Sequence, residues 1–167
     1  MGGSQEDSIS YIHHVCVVVS DLERSLRFYR DVLGLEVLER VDLIAGKEAS
    51  LGVGLPDARF ELVHLGASDG PTRLEMLHYF SPESRPLPPE KRSNDIGTAH
   101  AAFRVKNIDA YYKRLRERGV RFISEVQGSS TGERFCYFYD PDGAILEIIE
   151  PPDGLLKSVA SDQNSSL

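Results

Sequence analysis

The stretch that decides the fold is HVCVVVSDLERSLRFY, residues 14–29, because a second part of the chain repeats its pattern. The repeat is HAAFRVKNIDAYYKRL, residues 100–115, which aligns His100 with His14 and Asn107 with Asp21. In both stretches an apolar run leads into a short polar residue, which is followed by apolar residues at helical spacing. Since an internal duplication outweighs local propensity, we predict two copies of a unit that begins with a strand and continues into a helix.

Both predicted helices carry start and stop signals. Ser20 and Glu23 have the spacing of a capping box, and Gly34 stands where the first helix should end. The second helix is expected to begin near Asn107 and to end at Gly119. The residues expected to face a sheet are Leu22, Leu26, Tyr29 and Leu33 in the first helix and Ile108, Tyr112 and Leu115 in the second.

Three strand-like runs follow each helix. They are residues 36–43, 60–65 and 73–79 in the first copy and 121–126, 135–139 and 144–150 in the second. The sequence DPDG, residues 140–143, has the composition of a type I turn and predicts a hairpin. Residues 46–54 are rich in glycine but lack the ending of a phosphate-binding loop, so we expect an ordinary loop there. The predicted order is βαβββ, twice.

These patterns divide the chain into segments. Residues 81–96 contain several prolines and charges, which predicts a linker over the surface. The small and polar residues 1–8 and 152–167 are expected to be a disordered N-terminus and a polar tail. The first module then takes residues 9–80 and the second takes residues 97–151.

The overall composition restricts the classes of function. The chain has 167 residues, of which 41% are hydrophobic and 27% charged, and this balance is typical of a globular protein. A net charge of −7 without a basic tract argues against binding to nucleic acid or to an anionic membrane. Cys16 and Cys136 lie far apart and form no CxxC motif, so a reducing cytoplasm is the expected compartment.

Each copy pairs a histidine on its first strand with a glutamate on its last strand. The pairs are His14 with Glu75 and His100 with Glu147. Both glutamates lie in runs expected to be mostly buried, where a carboxylate is costly unless it is paired or bound to a cation. Two imidazoles and two carboxylates suit a divalent metal and leave two positions of an octahedral ion open. Taken singly each residue is more often structural, but their matching places in both copies predict a metal site.

The other histidines do not repeat in this way. Period-two alternation is expected to place His13 on the strand face opposite His14, and His78 on the face opposite Glu75. His64 has no partner in the second copy. We therefore predict structural roles for these three histidines.

Four motifs resemble the vicinal oxygen chelate superfamily, which includes glyoxalases, bleomycin resistance proteins and extradiol dioxygenases. The motifs are HVCVVVSDLERSLRFYRDVLG (residues 14–34), LEML (74–77), HAAFRV (100–105) and DPDGAILE (140–147). The resemblance covers about residues 9–151 and implies an α+β fold, in which two βαβββ modules form a curved, partly open mixed β-sheet barrel around a metal site. The implied metal ligands are His14, Glu75, His100 and Glu147. This set is similar to that of bacterial-type glyoxalase I and close to that of methylmalonyl-CoA epimerase-like members.

The resemblance implies an enzyme with one divalent metal per site, which could be Ni, Co, Zn, Mn or Fe. The expected activity is that of a lyase or isomerase, which transfers a proton through a metal-stabilised enolate on a small oxo- or acyl-thioester-type substrate. Glu147, with Glu75 as its counterpart, is the expected catalytic acid and base.

Two alternatives remain open at this point. An extradiol-type Fe(II) dioxygenase could use His14, His100 and Glu147, but Glu75 would then occupy a position that oxygen chemistry needs. A non-catalytic small-molecule binding protein of the bleomycin resistance type would need no metal, and the four retained ligands argue against it.

Arg104 is a candidate for substrate binding because it lies four residues after His100 on the same strand, hence on the same face. It could bind a carboxylate or phosphate of the substrate, or pair with a neighbouring glutamate. Tyr79 and Tyr137 could line the pocket or simply pack. The resemblance also implies a homodimer, whose sites could lie within one chain or between two.

The positions where glyoxalase I commonly contacts glutathione differ in this chain. Val18, Tyr79 and Ile96 stand where that family places Arg, Asn and Arg. Glutathione recognition in the manner of that family is therefore not expected.

Overall fold

The computed structural model describes residues 9–67, 70–88 and 91–152. The chain divides into two compact units, Met1–Pro88 and Pro89–Leu167. This division falls inside the segment 81–96, for which the sequence predicts a linker. The predictions for residues 1–8 and 153–167 lie outside the described residues.

The first unit is a four-stranded mixed sheet with helices between its strands. Its strands have the spatial order β1-β4-β3-β2, in which β1 and β4 are parallel and the other neighbours are antiparallel. A short α-helix, α1, continues directly into a π-helical segment, and a second helix, α2, precedes β3. The bounds are β1 His14–Val18, α1 Leu22–Leu26, the π-helix Arg27–Val32, β2 Glu36–Ala45, α2 Lys47–Val53, β3 Arg59–Gly66 and β4 Arg73–Ser81.

The second unit repeats this topology. Its sheet order is β5-β8-β7-β6, again with one parallel pair, β5 and β8, and with antiparallel neighbours elsewhere. The bounds are β5 Ala101–Arg104, α3 Ile108–Glu117, β6 Gln127–Gly128, β7 Arg134–Tyr139 and β8 Ile145–Glu150. The predicted α+β class, with two βαβββ modules built on mixed sheets, is confirmed.

Apolar side chains from each helix pack on the sheet of the same unit. In the first unit α1 contacts β4, and all four residues of the predicted stripe are buried, with Tyr29 fully inaccessible. In the second unit α3 contacts β8, and Ile108 and Leu115 are fully inaccessible. Tyr112 is only half-buried and packs edge-on against Phe122, with the ring centroids 4.5 Å apart. The helical periodicity therefore identified the buried faces, except at Tyr112.

The helix caps match each other across the duplication, but the first differs from the predicted capping box. Asp21, not Ser20, is the N-cap residue of α1, and its Oδ1 accepts a hydrogen bond from Arg24 N at 2.8 Å. Asn107 caps α3 in the same way, with Oδ1 accepting from Ala110 N at 3.0 Å. The aligned pair Asp21 and Asn107 thus satisfies equivalent amide groups at the two helix starts.

The first predicted helix changes its hydrogen-bonding pattern along its length. After Leu26 the chain continues as a π-helix, and Leu33 N donates to Phe28 O at 2.9 Å, five residues back. Periodicity does not distinguish this wider turn from an α-helix over so short a span. Gly34 follows with a φ of 87°, a left-handed conformation that glycine adopts readily.

Two element predictions were wrong. Within residues 46–54, Lys47–Val53 form the helix α2 instead of a loop, and it is flanked by Gly46 and Gly54, whose φ angles of 107° and 68° suit glycine. The predicted strand at residues 121–126 is reduced to a bridge between Phe122 and Phe138, followed by the two-residue β6. Ser124 Oγ, rather than a backbone carbonyl, faces Tyr137 N at 3.4 Å, so a side chain interrupts the ladder here.

The hairpin predicted from DPDG is confirmed. Asp140 Oδ1 accepts hydrogen bonds from Asp142 N and Ala144 N, while Gly143 N donates to Asp140 O at 3.2 Å. The turn joins β7 to β8 in antiparallel register and thereby places Tyr137 opposite Glu147. No helix in the described part of the chain is long and apolar enough to cross a membrane.

Candidate metal centre

Glu75 and the start of β1 lie on the same face of the first sheet. The parallel register pairs Cys16 with Glu75 and His14 with Arg73, so His14 and Cys16 share a face with Glu75. The alternate residues of β4, Leu74 and Met76, are buried on the opposite face. Leu77 follows Glu75 on the same face and is also buried, so the candidate carboxylate lies at the edge of an apolar surface.

Three potential ligands converge in the first unit. Nε2 of His14 lies 3.7 Å from Oε1 of Glu75, and Nε2 of His64 lies 2.9 Å from Oε2 of the same carboxylate. Ligand atoms of the three residues all lie within 4.8 Å of one another. Two imidazoles and one carboxylate form a nitrogen and oxygen donor set suited to a divalent transition metal.

His64 is the residue of this cluster that the sequence analysis missed. It was predicted to be structural, but the antiparallel register of β3 and β4 places it directly opposite Glu75. Its Nδ1 lies 3.1 Å from Oε2 of Glu39, so each ring nitrogen faces a carboxylate. Only the register of the hairpin reveals this contact, since the duplicated pattern places no histidine at this position in the second copy.

His13 also departs from its prediction. It was expected on the face opposite His14, but its Nδ1 lies 2.9 Å from Nδ1 of His14. The reason is that β1 begins at His14, so strand alternation does not extend back to His13. This contact occupies Nδ1 of His14 and leaves Nε2 directed towards Glu75.

His78 behaves as predicted and lies outside the cluster. Strand alternation places it on the face of β4 opposite Glu75, and its Nδ1 lies 3.0 Å from Oε1 of Glu61. His78 thus pairs with a carboxylate on the same sheet as His64 but away from the candidate ligands.

Cys16 lies beside the carboxylate of Glu75. Desolvation of its sulfur, together with the negative charge of Glu75 and a hydrogen bond to it, raises the pKa of the Cys16 thiol to about 12. Burial and the nearby Cys16 and Glu75 likewise raise the pKa of the Tyr79 phenol. Both groups are therefore neutral near pH 7.

The second unit brings His100 and Glu147 together. Nε2 of His100 lies 2.9 Å from Oε2 of Glu147, whose side chain is 10% exposed. Tyr137 is the register partner of Glu147, and its ring centroid lies 5.1 Å from that of His100. Burial, with the negative charge of Glu147, raises the pKa of Tyr137. The second predicted ligand pair is therefore in direct contact.

Arg104 lies in a cavity apart from the candidate ligands, whereas Tyr79 lies near Glu75. Arg104 lines a cavity of about 540 Å³ with Lys106, Arg134 and Glu150, and neither His100 nor Glu147 contributes to its lining. In the first unit Tyr79 packs on Phe60, with ring centroids 5.0 Å apart. Of the predicted substrate-binding residues, Tyr137 is the one in ring contact with a candidate ligand.

Residues 11–148 match the family model described as the glyoxalase/bleomycin resistance protein/dioxygenase superfamily. The chain belongs to this superfamily. It is 32% identical to 2-epi-5-epi-valiolone epimerase from Actinomyces sp., over 86% of this chain and 80% of that protein. It is 30% identical to lactoylglutathione lyase from Neisseria meningitidis, over 84% of this chain and 91% of the lyase.

A solved structure supports the same architecture. The crystal structure of a glyoxalase family protein from Bacillus cereus superimposes with a TM-score of 0.78, covering 89% of this chain and 98% of that protein. Sequence identity to it is 23%, so the comparison concerns the fold alone.

The donor chemistry of both units fits a divalent metal. Each unit presents imidazole nitrogen next to carboxylate oxygen, and the side chains of Glu75 and Glu147 are only 13% and 10% exposed. Carboxylates so enclosed require positive charge or hydrogen-bond donors nearby. The histidine of each pair can supply the hydrogen-bond donor that the enclosed glutamate requires, even without a metal. Histidine and glutamate are also side chains that borderline divalent ions accept as ligands.

Proposed function

We propose that this protein is a divalent-metal-dependent lyase or isomerase, which moves a proton on the carbon next to a substrate carbonyl. The observation that supports the proposal is the pairing of one histidine with one enclosed glutamate in each unit. The proposed ligands are His14, Glu75, His100 and Glu147. A divalent ion bound by them would supply Lewis-acid stabilisation of the negative charge that develops on substrate oxygen.

Glu147 is the proposed general base and acid. Its carboxylate contacts Nε2 of His100, and Glu147 is the register partner of Tyr137. These two neighbours hold the carboxylate in a defined position. A carboxylate that removes a proton from one carbon and returns it to the neighbouring carbon accounts for isomerisation, whereas epimerisation requires a second acid that returns a proton to the opposite face of the same carbon. Glu75 has the equivalent place in the first unit and the same chemistry available to it.

The relatives and the resemblance indicate candidate classes of substrate. The named relatives act, by their names, on 2-epi-5-epi-valiolone and on lactoylglutathione, and the resemblance adds methylmalonyl-CoA. Chemically the first compound is a ketone and the other two are thioesters. The positions of the glutathione contacts in glyoxalase I are occupied by Val18, Tyr79 and Ile96, and the side chains of Val18 and Ile96 are exposed and apolar. We therefore favour a ketone or a different thioester over a glutathione adduct.

The test is metal-dependent hydrogen exchange. Metal-free protein would be loaded separately with Ni²⁺, Co²⁺, Zn²⁺, Mn²⁺ or Fe²⁺ and incubated in D₂O with 2-epi-5-epi-valiolone, S-lactoylglutathione or methylmalonyl-CoA. We expect NMR to show deuterium at the carbon next to the carbonyl of one substrate, with no requirement for oxygen. Turnover that consumes oxygen would instead support the dioxygenase, and tight binding without exchange would support a binding protein.

We also propose a homodimer, as the resemblance implies. Light scattering after size exclusion should give twice the chain mass of 18.6 kDa. A mass of one chain at micromolar concentration would contradict this part of the proposal.

A further inference from the structure

The two carboxylate oxygens of Glu75 have different neighbours. Oε1 is the oxygen nearer His14, at 3.7 Å from Nε2, whereas Oε2 contacts Nε2 of His64 at 2.9 Å. His64 is 8% exposed, and its other nitrogen faces Oε2 of Glu39 at 3.1 Å. Three side chains from three adjacent strands, Glu39, His64 and Glu75, thus form a continuous hydrogen-bonded row.

The direction of the hydrogen bond between His64 and Glu75 follows from its chemistry. An ionised carboxylate only accepts, so Nε2 of His64 carries the hydrogen and donates it to Oε2. This bond uses a lone pair on Oε2 and leaves Oε1 facing His14. The contact of Nδ1 with Glu39 fixes the orientation of the imidazole ring, since both ring nitrogens are then held.

We propose that His64 is a positioning residue, which holds Glu75 so that Oε1 is the oxygen available to the metal and Oε2 is not. Glu39 orients the His64 ring from the other side. This inference rests on the proposed function, because it assumes that Glu75 is a metal ligand. Hydrogen-bonding partners behind the ligands commonly set the ligand orientation and the metal affinity.

His64 could instead bind the metal directly, but the number of open positions argues against it. Four ligands leave two positions of an octahedral ion, and these can accept two neighbouring substrate oxygens. A fifth protein ligand would leave one. The hydrogen bond to Oε2 also satisfies Nε2 of His64 in a place where a polar group without a partner would be costly.

The second unit lacks this imidazole support. Tyr137 has the register position next to Glu147 that His64 has next to Glu75, and its ring lies against His100. Replacing His64 should therefore alter the orientation of Glu75 in the first unit and leave the pair of His100 and Glu147 unchanged.

The experiment compares His64→Leu and His64→Gln with the matched control His78→Leu. His78 also faces a carboxylate, that of Glu61, but on the other face of the same sheet. The Kd for Mn²⁺ would be measured by calorimetry on the full chain, and pulsed EPR of the Mn²⁺-loaded protein would count the imidazole nitrogens at the ion. Thermal unfolding of each metal-free variant would establish that it is folded.

We expect His64→Leu to weaken Mn²⁺ binding by about 10- to 100-fold, with an unchanged imidazole count. His64→Gln should lose less, because its amide can still donate to Oε2, and Glu39→Gln should weaken binding in the same direction. His78→Leu should bind Mn²⁺ like the wild type. His64→Gln keeps the test decisive if His64→Leu does not fold.

Three results would overturn the proposal, and they can be told apart. If the wild type binds no divalent metal, the proposed function fails and this inference fails with it. If the wild type binds but the His64 variants bind equally well, the positioning role alone is wrong. If the imidazole count falls by one in His64→Leu, His64 is a direct ligand.

Discussion

His100 Nε2 lies 2.9 Å from Glu147 Oε2, although the two residues are 47 positions apart in the chain. The parallel pairing of β5 with β8 makes this contact possible, because it sets Ala102 beside Glu147. His100 immediately precedes β5 and is thereby brought close to Glu147. In the first unit the corresponding atoms of His14 and Glu75 are 3.7 Å apart, and His64 makes the shorter contact. The duplicated units are thus equivalent in topology but not in how they hold the glutamate.

Glu147→Gln should abolish turnover and preserve the fold. The amide has almost the same shape but cannot accept and return a proton, so we expect kcat to fall by at least about 10²- to 10⁴-fold. The measurement is deuterium exchange on whichever of the three candidate substrates exchanges with the wild type, with circular dichroism to check the fold. Glu150→Gln is the matched control on the same strand, since Glu150 contacts Arg134 and Ile108 N instead of a candidate ligand. A near-normal rate in Glu147→Gln would exclude the catalytic role.

A divalent metal should stabilise the folded protein. A ligand that binds only the folded state stabilises it by about 2.7 kcal/mol at a concentration of 100 times its Kd. We therefore expect Mn²⁺ or Ni²⁺ to raise the Tm of the wild type and of His78→Gln, and to raise it much less in Glu75→Gln or His100→Gln. The check is differential scanning calorimetry with and without a chelator. Equal shifts in all four proteins would show that the metal binds elsewhere.

Leu115→Ala should destabilise the second unit. Leu115 is fully inaccessible between α3 and the sheet, so its truncation removes apolar contacts and leaves a cavity. We expect the free energy of unfolding to fall by about 2–5 kcal/mol, measured by urea denaturation. Leu51→Ala is the control, because Leu51 in α2 is 72% exposed and should change stability by less than about 0.5 kcal/mol. Similar losses for both variants would contradict the packing of α3.

Cys16 should react slowly with alkylating agents in the metal-free protein. Because the thiolate is the reactive form and the pKa of Cys16 is raised to about 12, only about one thiol in 10⁴ is ionised at pH 8. The rate with iodoacetamide should rise roughly tenfold per pH unit between pH 7 and 10. Peptide mass spectrometry would locate the label, with the urea-unfolded protein as the reference. Labelling at pH 8 as fast as in the unfolded chain would show that Glu75 and desolvation do not act on this thiol.

The duplication and the helix faces were predictable because both are local patterns. Histidine aligned with histidine, Asp21 aligned with Asn107, and both of the latter cap helices. The apolar spacing from Leu22 to Leu33 identified a buried face, since burial of that face is the main contribution to helix stability here. Periodicity was less informative where single residues decided the local structure. Examples are the glycines that flank α2 and the side chain of Ser124, which faces a backbone amide of β7.

The sequence by itself determined the two βαβββ modules and the pairing of a histidine with a glutamate in each. These features depend on residue types at fixed spacings, which the chain carries whatever its three-dimensional form. Tertiary structure alone decided that His64 contacts Glu75 and that His13 contacts His14. Such contacts depend on the register of paired strands and on where a strand begins, and a shift of one residue would turn the side chains to the other face.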